Sequence, residues 1–478
     1  MLKTSLIIAF VPFMFALLLN IDRVYKKIKY FLRNGGLVSV AWGLMFLATG
    51  LWVTRTGAVT GVGSLDPSAV IQISFVTLAS CILLFLVIKG EKLQSYGRIQ
   101  VFSFFMYGMF AVLTIGISAA PALTAYKSGL LLADSLLVVV AISVLQRNGE
   151  RTTMLELTYA MSILFIIFIA AGGIMYTDLA SRKIGGIIGY NLNSIFPILN
   201  ANDVGYFAAI SVALGIRRAW EPGAFRPRLF WMTLAIIGFV VLFFAQARTS
   251  IVGLAVVLIV YAFSIKRMRI AAILMVLAIS VLGAFYILNN KNVGFEEISL
   301  DYLKRGQSDE MVTSMSGRAG LWSQGFDMLA DSPLIGHGYE AGVKYGGRRY
   351  GIAEGLHMHN AHMQVLVNSG ILGYLSWIIF LASVAVIIIK RVSHNFPADT
   401  SIARYEVEMF AILMLTLMRT MTGSVLVFHH CSLLLLLGML VYMKVQPLTR
   451  RDQSSNAIKS IAAKRKTRII QERGRAHK

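Results

Sequence analysis

The chain has 478 residues, of which 57% are hydrophobic and only 14% are charged, and its mean hydropathy is +0.70. This composition excludes an ordinary soluble globule and fits a chain that crosses a membrane several times. The formal net charge of +22 would suit a nucleic-acid binder, but the basic residues lie in short loops between apolar runs and in the C-terminal tail. Charges in those places orient a membrane protein, so no nucleic-acid partner is expected.

Long apolar runs recur from the N-terminus to residue 443. Each is about as long as a helix that crosses a hydrocarbon core of ~30 Å. The runs are continuous rather than alternating, which favours helices over the strands of a β-barrel. The sequence therefore predicts an all-α polytopic membrane protein with about 12–13 transmembrane helices and one large periplasmic loop. The predicted spans are 4–20, 37–54, 68–88, 100–118, 127–145, 155–176, 201–216, 229–247, 249–265, 270–289, 364–389, 405–422 and 424–443.

Basic loops alternate with poorly basic loops along the chain, and the positive-inside rule places the basic ones in the cytoplasm. The N-terminus is then external if all thirteen runs span, and internal if the first run does not. The long loop falls on the external side, which is the periplasm if this is a bacterial inner-membrane protein. The predicted regions are the first ten runs (1–289), the large periplasmic loop with part of the active site (290–363), the last transmembrane helices (364–443) and a basic cytoplasmic tail (444–478).

The first candidate site residue in chain order is Arg248, in "FFAQARTSIVGLAV" between two apolar runs on the external side. An arginine near membrane depth is costly unless it is paired or solvated. It is either an interfacial residue that extends to water or an anion ligand, because the planar guanidinium matches phosphate oxygens.

The large loop contains an amphipathic stretch, "GRAGLWSQGFDMLADSP", that predicts a helix. Arg318 stands at its start, where a helix N-terminus would attract phosphate. On a solvated loop the same arginine could equally be a surface charge. The apolar residues at helical spacing are Leu321, Trp322, Phe326 and Leu329.

Three histidines follow within six residues, in "GLHMHNAHMQVLVNSGILGYLSW". His357, His359 and His362 could bind a metal, but no HExxH or cysteine pair completes a ligand set. A proton relay would need buried acids through the spans, and Asp134 is one of few. Acid/base work is the third reading, since a neutral imidazole can take a proton from a hydroxyl.

Together, Arg248, Arg318 and His359 suggest one reaction at the external membrane surface. An acceptor hydroxyl, activated or oriented by His359, would attack a phosphate-linked donor, and the arginines would stabilise the leaving pyrophosphate.

The histidine stretch resembles a motif of the O-antigen ligase and polymerase superfamily of bacterial envelope glycosyltransferases. In that motif a histidine is followed by Asn, Ser or Gln, then by nine residues, a glycine, two residues, and Gly, Thr or Tyr. Here these positions are His359, Asn360, "AHMQVLVNS", Gly370, "IL" and Gly373.

Shorter segments are similar to the same family. "ARTSIVGL" and "SGRAGLW" resemble its two arginine segments and assign Arg248 and Arg318 to the donor phosphate. "ILNANDVGYFAA" resembles an Asn-rich entry to an earlier span, around Asn200 and Asn202. The likeness covers roughly residues 180–390.

The resemblance implies a metal-independent glycosyltransferase without cofactor, whose donor is an undecaprenyl-pyrophosphate-linked oligosaccharide. Polymerisation of O-antigen, capsule or exopolysaccharide repeat units is the leading expectation. Ligation to lipid A-core is the main alternative, and a protein-directed oligosaccharyltransferase, a transporter or a non-catalytic partner follow. The expected partners are an acceptor glycan or lipid A-core, membrane lipid and a chain-length regulator.

Overall fold

The computed structural model describes residues 2–50, 67–89, 99–183, 190–192, 201–221, 224–264, 318–394 and 401–445. Within these ranges the regular elements are helices, apart from a ribbon of two three-residue strands. Seven of the described helices are long and apolar enough to cross a membrane. The predicted class, an all-helical polytopic membrane protein, is therefore confirmed.

The helices are numbered here in chain order. They are α1 (Leu2–Leu18), α2 (Ile21–Gly50), α3 (Pro67–Ile88), α4 (Ile99–Leu113), α5 (Pro121–Asn148), α6 (Thr153–Met175), α7 (Thr177–Ala180), α8 (Ala201–Ala219), α9 (Phe225–Ala245), α10 (Arg248–Ser264), α11 (Arg318–Asp331), α12 (Ala361–His394), α13 (Ser401–Thr420) and α14 (Cys431–Lys444). The strands are β1 (Ser181–Lys183) and β2 (Tyr190–Leu192), which pair antiparallel.

Glycines allow neighbouring helices to approach closely. A Cβ on Gly215 of α8 would lie 2.7 Å from the Trp231 carbonyl oxygen of α9, and one on Gly238 of α9 would lie 3.0 Å from the Ala208 carbonyl oxygen. Small residues at helix contacts are typical of membrane bundles, because close packing replaces the hydrophobic drive available in water.

One end of the bundle holds a buried cluster of charges. The Arg218 guanidinium, at the end of α8, lies 2.8 Å from Glu408 of α13 and 3.0 Å from Glu156 of α6. Such pairing is what permits charges inside an apolar bundle. The cluster marks the end of the molecule at which α8 ends and α6 and α13 begin.

At the opposite end of the bundle, α9 ends, α10 begins and α12 begins. The N-terminus of α1 points to this end, because Asn20, just beyond α1, donates to the Arg226 carbonyl at the start of α9 (3.0 Å). The first apolar run is thus a helix packed along α9, and Leu2 lies toward the end at which α9 finishes.

Most predicted spans coincide with helices to within several residues, but the last one starts too early. The chain from Ser424 to His430 is not helical, and α14 begins at Cys431 rather than at residue 424. The predicted span 270–289, residues 290–317 of the large loop, Asn200 and the tail beyond residue 445 lie outside the described residues.

Candidate active site

The helix α12 is broken at Gly370, the first glycine of the sequence motif. Its φ of 63° and ψ of −170° lie outside the range of ordinary L-residues. The freed backbone groups bond instead to the turn Pro333–Gly338. Four bonds of 2.8–3.2 Å join the segments: Ile371 N–H to the Pro333 carbonyl, Leu372 to Leu334, His337 to Val367, and Gly338 to Asn368.

This junction requires glycine on both sides. A Cβ on Gly370 would overlap the backbone carbonyl group of Leu334, and one on Gly336 would lie 2.6 Å from the Gly370 nitrogen. Gly373 lies one turn later, and a Cβ there would lie 2.3 Å from the Cβ of Ser369. Gly370 and Gly373 therefore shape the entry into α12 and offer no chemistry of their own.

His359 lies immediately before α12, at a turn in the backbone. Its φ is 51°, in the left-handed region, and its side chain is exposed while the neighbouring Met358 is buried. Asn360 caps the helix, because its Oδ1 accepts from the N–H of Met363 (3.2 Å), as an N-cap asparagine does. His359 is thus presented at a helix N-terminus.

The amphipathic helix α11 packs against this turn. Trp322 donates from Nε1 to the Met358 carbonyl (2.8 Å), and Met328 belongs to the small apolar cluster that includes Met358. These contacts fix the start of α11, and Arg318, its first residue, lies close enough to His359 to act on it electrostatically. Of the four apolar residues noted at helical spacing, Phe326 is 58% exposed, whereas Met328, which was not among them, is buried.

Arg248, the first residue of α10, reaches the same region through a turn that follows α13. The Thr249 hydroxyl lies 3.0 Å from the Thr422 hydroxyl, and Asn360 Nδ2 contacts the Met421 carbonyl at 3.4 Å. The turn at 421–422 therefore connects the α10 entry with the histidine turn.

The electrostatics agree with this arrangement. Burial, together with the charges of Arg419 and Arg248, lowers the pKa of Arg318. Partial desolvation and the charges of Arg318 and Arg419 also lower the pKa of His359, while Asp203 acts in the opposite direction. Arg248, Arg318 and His359 thus lie within one electrostatic neighbourhood, in which the imidazole is kept neutral and an anion would be stabilised.

The other two histidines have different surroundings. His362 lies inside the first turn of α12, where its Nδ1 is 3.1 Å from the Tyr374 hydroxyl and its ring packs on Trp377. His357 lies against Phe428, and burial lowers its pKa to about 4. These contacts suit packing roles.

Asn202 is the second residue of α8, and its neighbour Asp203 pairs with Arg419 at 3.0 Å. Neither Asp203 nor Arg419 was among the sequence-based candidates. An arginine within the apolar "LTLMRTMTGS" was the available signal, since an intramembrane charge suggests a function by default. Within the described ranges, no group of three or more His, Cys, Asp or Glu side chains could hold a metal ion. Independence of metal stays a prediction.

Arg248, Arg318 and the His359 motif fall in a segment of the chain that is similar to a known family. Residues 233–378 match the family model described as O-antigen ligase. This segment is therefore similar to the O-antigen ligase family, and it lies in a chain whose seven long apolar helices are consistent with a multi-pass membrane protein. A comparison with curated proteins gives no match.

The matched O-antigen ligase domain contains most of the proposed site, including Arg248, Arg318 and the His359 motif. Three residues of the same neighbourhood lie outside it: Asn202, Asp203 and Arg419. The site thus draws on helices on both sides of the domain, α8 before it and α13 after it.

Proposed function

We propose that this protein transfers a glycan from undecaprenyl pyrophosphate to an acceptor hydroxyl, at the external face of a bacterial inner membrane. The observation that carries the proposal is the convergence of Arg248, Arg318 and His359 near the start of α12. Two guanidiniums suit a pyrophosphate, and an exposed, neutral imidazole suits a hydroxyl that must lose its proton.

In the proposed reaction the acceptor oxygen forms a bond to the anomeric carbon of the donor glycan. The bond from that carbon to the phosphate oxygen breaks, and its electron pair leaves on the lipid pyrophosphate. The acceptor proton passes to Nδ1 or Nε2 of His359. The arginines stabilise the charge on the leaving group, where fixed cations act most strongly. No cofactor takes part.

Within this class we propose polymerisation of O-antigen, capsule or exopolysaccharide repeat units as the reaction. One kind of lipid-linked repeat unit would then serve as donor and acceptor. Ligation to lipid A-core is the second candidate, and the family description favours it. The two reactions share the donor site and differ only in the acceptor.

A reconstitution experiment separates the two. The purified protein in lipid nanodiscs is supplied with the undecaprenyl-pyrophosphate-linked repeat unit, with and without lipid A-core. A polymerase produces a ladder of lengthened lipid-linked chains from the repeat unit alone, whereas a ligase produces glycan-bearing lipid A only when the core is present. Failure to release undecaprenyl pyrophosphate under any of these conditions would reject the proposed function.

A further inference from the structure

A third arginine lies beside the proposed site, on a helix outside the matched domain. Arg419 is in the last turn of α13, and its side chain is only 5% exposed. Its Nη2 lies 3.0 Å from Oδ1 of Asp203 in α8, and its Nη1 makes a longer contact of 3.5 Å with the Thr422 hydroxyl. A residue of α8 thus fixes a guanidinium that belongs to α13.

The contacts of this guanidinium do not use all its donors. Arginine has five N–H groups in a planar fork, and the Nε of Arg419 has no hydrogen-bond partner among the residues that the structure describes. Buried donors without partners are rare because each costs the free energy of its lost hydration. Arg419 therefore has a buried donor, Nε, left over beside a proposed pyrophosphate site, where an anionic ligand could accept from it.

The local sequence leaves room for the guanidinium. A Cβ on Gly423 would lie 2.6 Å from Cζ of Arg419, so any side chain at that position would displace the planar group. The glycine therefore allows the guanidinium to lie flat against the turn that follows α13.

That turn contacts both halves of the proposed site. Thr422 contacts Thr249, next to Arg248, and the Met421 carbonyl contacts Asn360, next to His359. Arg419 also acts electrostatically on Arg318 and His359. Its charge is therefore placed among the residues assigned to donor and base.

We propose that Arg419, held in place by Asp203, is a third guanidinium of the pyrophosphate site and meets the charge that appears when the glycan leaves. The inference rests on the proposed function. In the glycan-linked donor each phosphate has one ester bond and shares the anhydride oxygen, so each carries one negative charge. When the glycosidic bond breaks, the leaving lipid pyrophosphate gains a further negative charge. Arg248 and Arg318 would bind the two charges already present on the donor, and Arg419 would bind the charge that is added.

If Arg419 binds only the added charge, its loss should affect binding of the product more than binding of the donor. Loss of Arg419 should weaken binding of undecaprenyl pyrophosphate, the product, by about 10–100-fold, the usual scale for a hydrogen bond to a charged group. Binding of the glycan-linked donor should change by less than about 3-fold. Turnover should fall by about the factor lost in product binding, because the same charge develops in the transition state.

The variants are Arg419→Gln and the double change Asp203→Asn with Arg419→Gln, which leaves no buried charge unpaired. Arg404→Gln is the matched control, since Arg404 pairs with Glu221 (2.8 Å) near the start of the same helix. Each protein is titrated in nanodiscs with undecaprenyl pyrophosphate and with the glycan-linked donor. Both Arg419 variants should show the selective loss, and the Arg404 control should not.

Unchanged product binding in the double variant would overturn the proposal and leave Arg419 as a structural ion pair. Equal loss for donor and product would also overturn it, because Arg419 would then be a general donor contact. Arg318→Ala distinguishes this failure from that of the proposed function. If Arg318→Ala also leaves product binding unchanged, the whole pyrophosphate site is wrong. If Arg419→Gln does not fold, the double variant decides the question.

Discussion

His359 adopts a backbone conformation that non-glycine residues rarely take. A φ of 51° costs on the order of 1–2 kcal/mol for an L-residue. The conformation separates His359 from the buried Met358 and exposes its ring at the start of α12. Strain of this kind is often found at functional sites, which agrees with a role for this ring in the reaction.

On the acid side of the pH–activity profile, the fall in activity should reflect protonation of His359. Partial desolvation and the charges of Arg318 and Arg419 lower its pKa below the ordinary 6.5. A general base must be neutral, so kcat/KM should fall only as the pH drops through that lowered value. Asp203→Asn removes the charge that raises this pKa and should move the fall to still lower pH. A fall centred above pH 6.5 in the wild-type protein would contradict this assignment.

The two donor arginines should not be replaceable by lysine. Arg248→Ala and Arg318→Ala should each reduce turnover by about 10²–10³-fold. Lysine should restore little of it, because a point charge replaces a planar fork. Turnover of purified protein is the measurement. Arg228→Ala, an exposed arginine near the start of α9, is the control, and full activity in either alanine variant would remove that arginine from the site.

At the scale of elements, the break in α12 is what brings the motif together. Gly370→Ala combines backbone strain with a collision against Leu334, whereas Gly355→Ala introduces strain alone, since its φ is 83° and its Cβ would meet nothing within 4 Å. Gly370→Ala should lower Tm in thermal unfolding by clearly more than Gly355→Ala, whose strain is worth about 1–2 kcal/mol. Equal shifts would show that the junction with the turn Pro333–Gly338 contributes little.

The elements also show which features periodicity can predict. Leu321 and Trp322 pack on the apolar cluster with Met328 and Met358, and Gly325 faces Met358, whereas Phe326 is exposed. Apolar spacing identifies a helix without fixing which apolar residue meets the core. The start of α14 was misplaced for a similar reason, since "SVLVFHH" is apolar enough to resemble a span yet is not helical.

At the scale of the molecule, the proposed site and the Arg218 cluster lie at opposite ends of α8 and α13. If the basic loops are cytoplasmic, the site end is external. In a Cys81→Ser background, Glu354→Cys should react with an impermeant thiol reagent applied from the periplasm, and Lys89→Cys should react only after the membrane is opened. Both positions are exposed. The reverse pattern would invert the orientation.

Pairs of residues on helices that are far apart in the sequence could not be predicted from the sequence. The motif gave His359 and the two arginines because their neighbours in sequence are distinctive. Arg419 and Asp203 are 216 residues apart, and no local pattern links them. Their pairing depends on how α8 and α13 pack, which a single sequence read for spans and loops does not specify.

The central claim is that His359 acts on the hydroxyl while the arginines hold the donor. It is tested most directly by measuring turnover and donor binding together in nanodisc-reconstituted His359→Ala. Turnover should fall by about 10²–10⁴-fold, the usual value of general-base assistance, and donor affinity should be retained. His357→Ala and His362→Ala should have milder effects on turnover. Near-normal turnover in His359→Ala, or a collapse of donor binding, would contradict the role assigned to this histidine.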